Sequence, residues 1–288
     1  MGVAQVSRPD GPVDASVRIP VLAPLRTVND ALLHLLRGFE PQDWHRPTVH
    51  PDRTVKDLVT HLLQGSLNRV SMLRDGFRVA TGPISRIEDL TALIQRNNRE
   101  FMTAMRWVSP RIVIDLLAIY DGEMVAAFEA LDPDAPGLGV AWAGEAVSPN
   151  WFDVAREYTE KWHHQQQLRD ATSRPPLYDP ALLTPVLETF ARGLPFAFRS
   201  RDAKDGTRVA VTVTGPVTLQ WTLRRMGKTW SLWSGTPENA EASISLPADL
   251  AWRLWTKGVT PDEARASMTL SGDETMAAPL TKFVAIMA

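Results

Sequence analysis

Two spacings of hydrophobic residues divide this chain. Up to about residue 192 the apolar positions recur every three to four residues, the period of helices that turn one face to a core. Leu25, Val28, Leu32, Leu35 and Leu36 predict a helix over about 22–38, stopped before Pro41. Thr54, with Asp57 three residues on, reads as a capping box with aspartate in the acidic role; it opens a helix that runs to about Arg74, before Gly76. Ile87, Leu90, Ile94, Phe101 and Met105 form one stripe over about 86–107. Ser109-Pro110 and Ser148-Pro149 each set a capping hydroxyl before a first-turn proline, which predicts helices over about 110–131 and 149–172. The stretch 132–144 between them, with three glycines and two prolines, reads as a loop. Asp179-Pro180 starts a last helix that ends near Arg192, giving a bundle of four long helices with additions.

Beyond Gly193-Leu194-Pro195 the pattern alternates. Val209, Val211 and Val213 share one strand face; Val217, Leu219, Trp221 and Leu223 share another after the Gly215-Pro216 turn. Trp230 to Trp233 and Ser243 to Leu246 read as further strands. An amphipathic helix follows with Leu250, Trp252, Leu254 and Trp255, and Asp273 to Ala288 reads as a closing helix. The expected fold class is α+β: a helical bundle over 1–193, then a smaller domain over 194–288 with a mostly antiparallel sheet and helices on one face.

The chain has 288 residues, 44% hydrophobic and 22% charged, enough for one large core or two ordinary ones. A formal charge of -2 supplies no broad basic field for nucleic acid and no cationic face for lipid, so a small-molecule partner is expected. The longest apolar run, Ile112 to Tyr120, is broken by Asp115 and too short to span a bilayer. Arg8, Asp10, Asp14 and Arg18 among prolines do not form a signal-peptide pattern, so a cytoplasmic location is expected. Cysteine is absent, which removes disulfides, thiolate ligands and a cysteine nucleophile; any thiol chemistry here uses a thiol from outside the chain.

The six histidines, His34, His45, His50, His61, His163 and His164, all lie in the first part. Glu160 and His164 are one helical turn apart and can grip one cation. The same spacing also suits an ordinary surface pair. His61, on another predicted helix, offers a third ligand, and two histidines with a carboxylate leave metal positions open for water or substrate. Its position beside Leu58 and Leu62 also suits a core histidine with a satisfied hydrogen bond. Asp57, one turn before His61, stands where a carboxylate could hold that imidazole in its metal-binding tautomer. His163, about 100° around the helix from His164, is the competing ligand. Weaker candidates are Asn97 or Asn98 as a buried polar group, Gln167 as a contact for a bound thiol, and Arg99, Arg106 or Arg169 as partners of a substrate carboxylate. Trp221, Trp230, Trp233, Trp252 and Trp255 suit either an apolar ligand pocket or, at this spacing, a core.

Three segments carry a resemblance: Trp44 with Pro47-Thr48, Thr54-Val55-Lys56-Asp57-Leu58-Val59-Thr60-His61-Leu62, and Glu160-Lys161-Trp162-His163-His164-Gln165-Gln166-Gln167-Leu168-Arg169-Asp170-Ala171. In them the N-terminal region resembles the DinB-like four-helix bundle of mycothiol-dependent maleylpyruvate isomerases and related thiol S-transferases. The final domain is similar to the sterol-carrier-like α/β domain that follows the bundle in many members, so the resemblance covers nearly the whole chain. It implies that His61, Glu160 and His164 bind a divalent metal, commonly zinc, with mycothiol or a related thiol as cosubstrate and an electrophilic small molecule as the other reactant. No nucleic-acid or membrane partner is implied, and the assembly is a monomer or homodimer. Where the isomerases often carry Glu-Val-Glu-Val-His-His, this chain has Thr159-Glu160-Lys161-Trp162-His163-His164, so the resemblance specifies the superfamily more closely than the substrate. Two other functions use the same residues. One is a hydrolase in which the metal activates water; the other is a non-enzymatic protein that holds a hydrophobic ligand in its C-terminal domain.

Overall fold

A computed structural model describes residues 4–5, 11–14, 16–79 and 87–286. In chain order its elements are β1 (Ala4–Gln5), β2 (Gly11–Pro12), α1 (Leu22–Arg37), α2 (Val55–Leu73), α3 (Ile87–Met105), α4 (Pro110–Glu129), α5 (Asn150–Ala171), α6 (Pro180–Ala191) and α7 (Leu194–Ala197). Then come β3 (Arg208–Thr214), β4 (Val217–Met226), β5 (Thr229–Ser234), β6 (Ala242–Pro247), α8 (Ala248–Trp255), α9 (Pro261–Arg265), β7 (Thr269–Gly272) and α10 (Glu274–Thr281). Single 3-10 turns lie at Asp43–His45 and Ala141–Ala143. No helix among the described residues is long and apolar enough to cross a membrane.

Contacts gather into two compact units. The helical unit is Pro20–Ala135 with Glu157–Leu177; the sheet unit takes the described residues up to Ile19, Pro136–Arg156 and Tyr178–Ile286. Residues 136–156 and 178–193, expected within the bundle domain, thus cluster with the sheet. The reason is visible in α6, which packs on β4 and α8, and in Phe190, whose ring meets Trp255 edge-on at 6.2 Å.

In the helical unit α2 is the centre, packed against α3 and α4, with α1 also on α4. Leu32, Leu35 and Leu36 of α1, Leu58, Val59, Leu62 and Leu63 of α2, Val113 and Leu117 of α4, Leu168 of α5 and Trp44 form one buried cluster. Each such aliphatic side chain contributes about 2 kcal/mol by leaving water. The start of α2 is fixed as the sequence predicts. Thr54 Oγ1 accepts from the Asp57 amide, and the Asp57 carboxylate accepts from the Thr54 amide. Ser109 caps α4 at Ile112. Ser148, expected to cap the next helix, does something else: its hydroxyl accepts from the Val140 amide at 3.0 Å and donates to Glu145 at 2.5 Å, tying the preceding loop instead.

In the sheet unit the strand order is β2-β5-β4-β3-β6-β7. The β3–β4 and β4–β5 hairpins are antiparallel, with Val211 opposite Trp221 and Leu223 opposite Leu232. β6 joins β3 in parallel, Val211 opposite Ile244, and β7 closes that edge antiparallel; β1 makes a short parallel pairing with β4. The sheet is mostly antiparallel, as expected, with α8 packed on β3 and β6. Trp221, Trp230, Trp252 and Trp255 are buried here as core. The predicted closing helix is shorter than the sequence pattern suggests. It ends at Thr281, and past it the Ala285 amide donates to the Trp255 carbonyl at 2.8 Å, a tertiary bond that replaces a further helical turn. Residues 287 and 288 lie outside the described residues.

Candidate metal centre

The helix α5 is polar in composition yet enclosed. Glu157, Thr159, Lys161, His163, His164, Gln165, Gln166 and Gln167 are all buried. Buried polar groups must find partners, and here most do. Gln165 Nε2 donates to the Val28 carbonyl at 2.8 Å, Gln166 Oε1 accepts from the Leu177 amide at 3.0 Å, and Trp162 Nε1 donates to the Leu177 carbonyl at 3.2 Å. Two ion pairs lie in the interior. Lys161 Nζ is 2.7 Å from both Asp121 Oδ1 and Ser66 Oγ, and donates to the Leu62 carbonyl at 3.2 Å. Arg69 meets Glu157 at 3.0 Å. These contacts dock α5 against α2 and α4.

That docking brings the three proposed ligands together. His61 of α2 and Glu160 and His164 of α5 each present a ligand atom, and the three atoms lie within 4.8 Å of one another. His164 Nε2 is 3.4 Å from Glu160 Oε2, and the His61 and His164 rings meet edge-on with centroids 5.0 Å apart. The plain surface-pair reading of Glu160 and His164 does not describe this arrangement, because the His164 side chain is 6% exposed.

The protonation pattern follows from the neighbours. His164 Nδ1 lies 2.8 Å from Gln167 Oε1, which can only accept, so Nδ1 carries a proton, and in the neutral ring the lone pair is left on Nε2, the nitrogen beside Glu160. Burial first, and then the His164 imidazole, push His61 down to about 3, His163 to about 3 and His50 to about 4. All three are therefore neutral near pH 7. His61 Nδ1 is buried without a hydrogen-bond partner among the described residues, which costs about 1–3 kcal/mol. Two imidazoles and a carboxylate suit a divalent ion of borderline softness such as zinc. By this test the residues fit a metal.

Other expectations are distributed differently. Asp57 is spent elsewhere: its oxygens accept from Thr54 and from Arg106 Nε and Nη2 at 2.9 and 3.0 Å, and it gives His61 Nδ1 no support. Burial pushes the Asp57 carboxyl up, but the Arg106 and Thr54 bonds together hold it below the usual carboxylate range. The side-chain contact to a ligand imidazole is made instead by Gln167, and on His164. Arg106 is thereby a partner of Asp57, and Arg169 holds the Pro175 carbonyl and Gln165. His163 is turned aside, its Nδ1 donating to the Thr159 carbonyl at 2.8 Å. Of the two asparagines Asn98 is buried, whereas Asn97 is exposed and its carbonyl accepts from Gln64.

His50 was not singled out by sequence. It sits in the loop before α2, where Thr48 Oγ1 donates to the Arg53 carbonyl and accepts from the His50 amide. Its ring centroid is 6.2 Å from that of His164, and its buried Nε2 has no hydrogen-bond partner. Gln167 Nε2 is likewise buried and unpaired. The one available signal was another histidine just past Pro47-Thr48, and loop residues have no period to mark which way they face.

A helical unit carrying a His-Glu-His cluster on two helices, followed by an α/β sheet unit, defines the class to which this chain can be compared. The family model for the mycothiol maleylpyruvate isomerase N-terminal domain matches residues 25–169, just over half of the chain. The chain belongs to that family. Its fold is similar to the crystal structure of the mycothiol-dependent maleylpyruvate isomerase, at 13% identity and a TM-score of 0.52 over 81% of this chain and 86% of that one. A histidine-to-alanine mutant of that isomerase gives 12% identity and a TM-score of 0.51 over the same shares. A UbiJ-SCP2 ubiquinone synthesis protein matches 37% of this chain and 89% of its own at 18% identity, but its TM-score of 0.24 carries no argument. No curated protein matches in sequence.

Proposed function

We propose that this protein is a zinc-dependent thiol S-transferase or isomerase, in which mycothiol or a similar low-molecular-weight thiol attacks an electrophilic small molecule. One observation carries the reading: His61, Glu160 and His164, from two helices, place donor atoms within 4.8 Å of one another, next to a Gln167 that sets the His164 tautomer. Membership of the isomerase family supports the choice of a thiol over water.

A divalent cation held by two neutral imidazoles and one carboxylate keeps a net positive charge, and so acidifies a thiol that reaches it. The chain's own residues supply the rest. His61 and His50 stay uncharged at neutral pH, so neither repels the cation nor hydrogen-bonds as a fixed cation. Gln167 keeps the His164 lone pair on Nε2. Glu160, 26% exposed against 6% for His164, adds the negative charge that offsets the ion. His50 and Gln167, whose side chains interact with each other, border the same cluster with a buried Nε2 each. With no cysteine in the chain, no internal thiolate competes for the ion or the electrophile.

The test is elemental analysis followed by turnover. Wild-type protein is expected to retain stoichiometric zinc and His164→Ala to lose it; with a thiol and a chlorinated aromatic, zinc-loaded wild type forms the S-conjugate. Zinc retention with ester or amide hydrolysis and no conjugate replaces this reading by a hydrolase. Zinc equally bound by wild type and His164→Ala removes its basis.

A further inference from the structure

The sheet unit contains a cleft of about 510 Å³ that the chemistry above does not use. Its walls come from three places: Trp142 in the turn at Ala141–Ala143, Phe196 to Arg201 in and after α7, and Ala278 to Val284 at the end of α10. The apolar surfaces are Trp142, Phe196 and Phe283, and all three are held by close packing. A Cβ on Gly193 would stand 2.8 Å from both the Phe283 and Trp142 rings, and one on Gly144 would meet the Phe196 ring at 2.4 Å. Only glycine admits these approaches, so the walls are fixed before any ligand arrives.

The polar lining is one-sided. Arg199, Arg201 and Lys282 are its charged residues, and no acidic side chain lines the cleft, in a chain whose formal charge is -2. Arg199 lies over the Phe196 ring, 3.9 Å from its centroid, and donates to the Phe196 carbonyl at 2.8 Å, so the guanidinium is held in place. Arg201 Nη2 donates to Thr275 Oγ1 at 2.8 Å, whereas its Nε is buried and has no partner. Asp273, whose charge is coupled to Arg201, is engaged by hydrogen bonds: its Oδ1 accepts from the Thr275 amide and hydroxyl and from the Met276 amide. The unpaired buried Nε of Arg201, with Arg199 and Lys282 lining the same cleft, is a standing cost that an anion removes. Volume, aromatic walls and convergent cations together are the makings of a small-molecule site.

We propose that this cleft binds a small organic carboxylate carried on a flat apolar body, the acid group facing Arg201 and Lys282 and the body lying against Trp142, Phe196 and Phe283. The assignment does not depend on the metal centre.

The probe is 1-naphthoate, titrated calorimetrically into the full-length protein, with uncharged 1-naphthalenemethanol as the comparison. Naphthoate is expected to bind, naphthalenemethanol much more weakly, and the naphthoate affinity to fall as ionic strength rises. Reversal of two exposed charges in Arg199→Glu/Lys282→Glu should weaken naphthoate by about tenfold or more, while Lys282→Gln alone gives a smaller loss. His164→Ala should bind naphthoate as wild type does, which separates this cleft from a metal that could also take a carboxylate. Failure of naphthoate to bind wild type, equal affinity for the alcohol, insensitivity to the double reversal in a variant whose circular dichroism is unchanged, or loss in His164→Ala overturns the proposal.

Discussion

At the scale of single residues, the centre depends on who holds whom. In the proposed centre Gln167 takes the proton-bearing Nδ1 of His164, through one contact of 2.8 Å, and leaves Nε2 for the metal. Removing such an orienting partner typically costs about 10–100-fold in metal affinity. Gln167→Leu is therefore expected to weaken zinc binding by that order in a chelator competition, with Gln167→Glu retaining more of it than Leu. An unchanged affinity in Gln167→Leu would show that the amide does not orient the ligand. The buried imidazoles also set a pH dependence in the metal-free protein. His50, His61 and His163 are held near 4, 3 and 3 in the folded state and titrate near 6.5 when unfolded. Between about pH 6.5 and 4 the unfolded chain binds more protons, so stability falls as pH falls through that window, by about 1.4 kcal/mol per pH unit for each imidazole involved. Denaturant midpoints measured at pH 7, 6, 5 and 4 should decline, and His163→Phe should shallow the decline. A flat profile would contradict neutral buried imidazoles.

At the scale of elements, α5 is the unusual piece. Its sequence is rich in charged and amide side chains, yet it lies enclosed, because Lys161, Glu157 and the glutamines Gln165 and Gln166 find partners on other elements. Lys161 and Asp121 are 1% and 3% exposed in their side chains and 2.7 Å apart. Breaking one member leaves a buried charge alone, at about 3–5 kcal/mol, whereas replacing both with apolar residues of like volume is often neutral. Lys161→Met is thus expected to lower the denaturation free energy by about that amount, and Lys161→Met/Asp121→Leu to recover most of it. A double variant as unstable as the single one would mean that the pair is worth more than its mutual neutralisation. Helix starts were legible where the cap is local: Thr54 with Asp57, and Ser109 before Pro110, act over three residues. Ser148 carries the same signal and was captured by Val140 and Glu145, so a tertiary competitor decided its use. The burial of α5 was not legible at all, since its partners Asp121, Ser66, Arg69 and Val28 lie on other helices.

At the scale of the molecule, the compact units do not follow chain order. Residues 136–156 and 178–193 cluster with the sheet although they flank part of the helical unit. A chain ended after residue 193 would keep Trp142, Phe152 and Phe190 but lose Trp255 and Phe283, against which this aromatic cluster packs. Such a truncation is expected to expose apolar surface, bind hydrophobic dye and unfold at lower temperature than the full chain. A soluble, dye-negative fragment with a sharp transition would show that the helical part stands without the sheet.

The sequence by itself determined what acts over a few residues: the change from helical to alternating periodicity, the α2 cap, the turn at Gly215-Pro216, and the one-turn spacing of Glu160 and His164. It also carried the motifs by which the family was recognised. Only the tertiary structure decided what depends on distant partners. It brought His61 to that pair, set the His50 ring 6.2 Å from that of His164, engaged Asp57 with Arg106, put Gln167 against His164 Nδ1 and joined β6 to β3 in parallel. Backbone geometry and capping are set by neighbours along the chain, whereas these outcomes depend on which faces meet when the helices and strands pack, and no short window of sequence contains both faces.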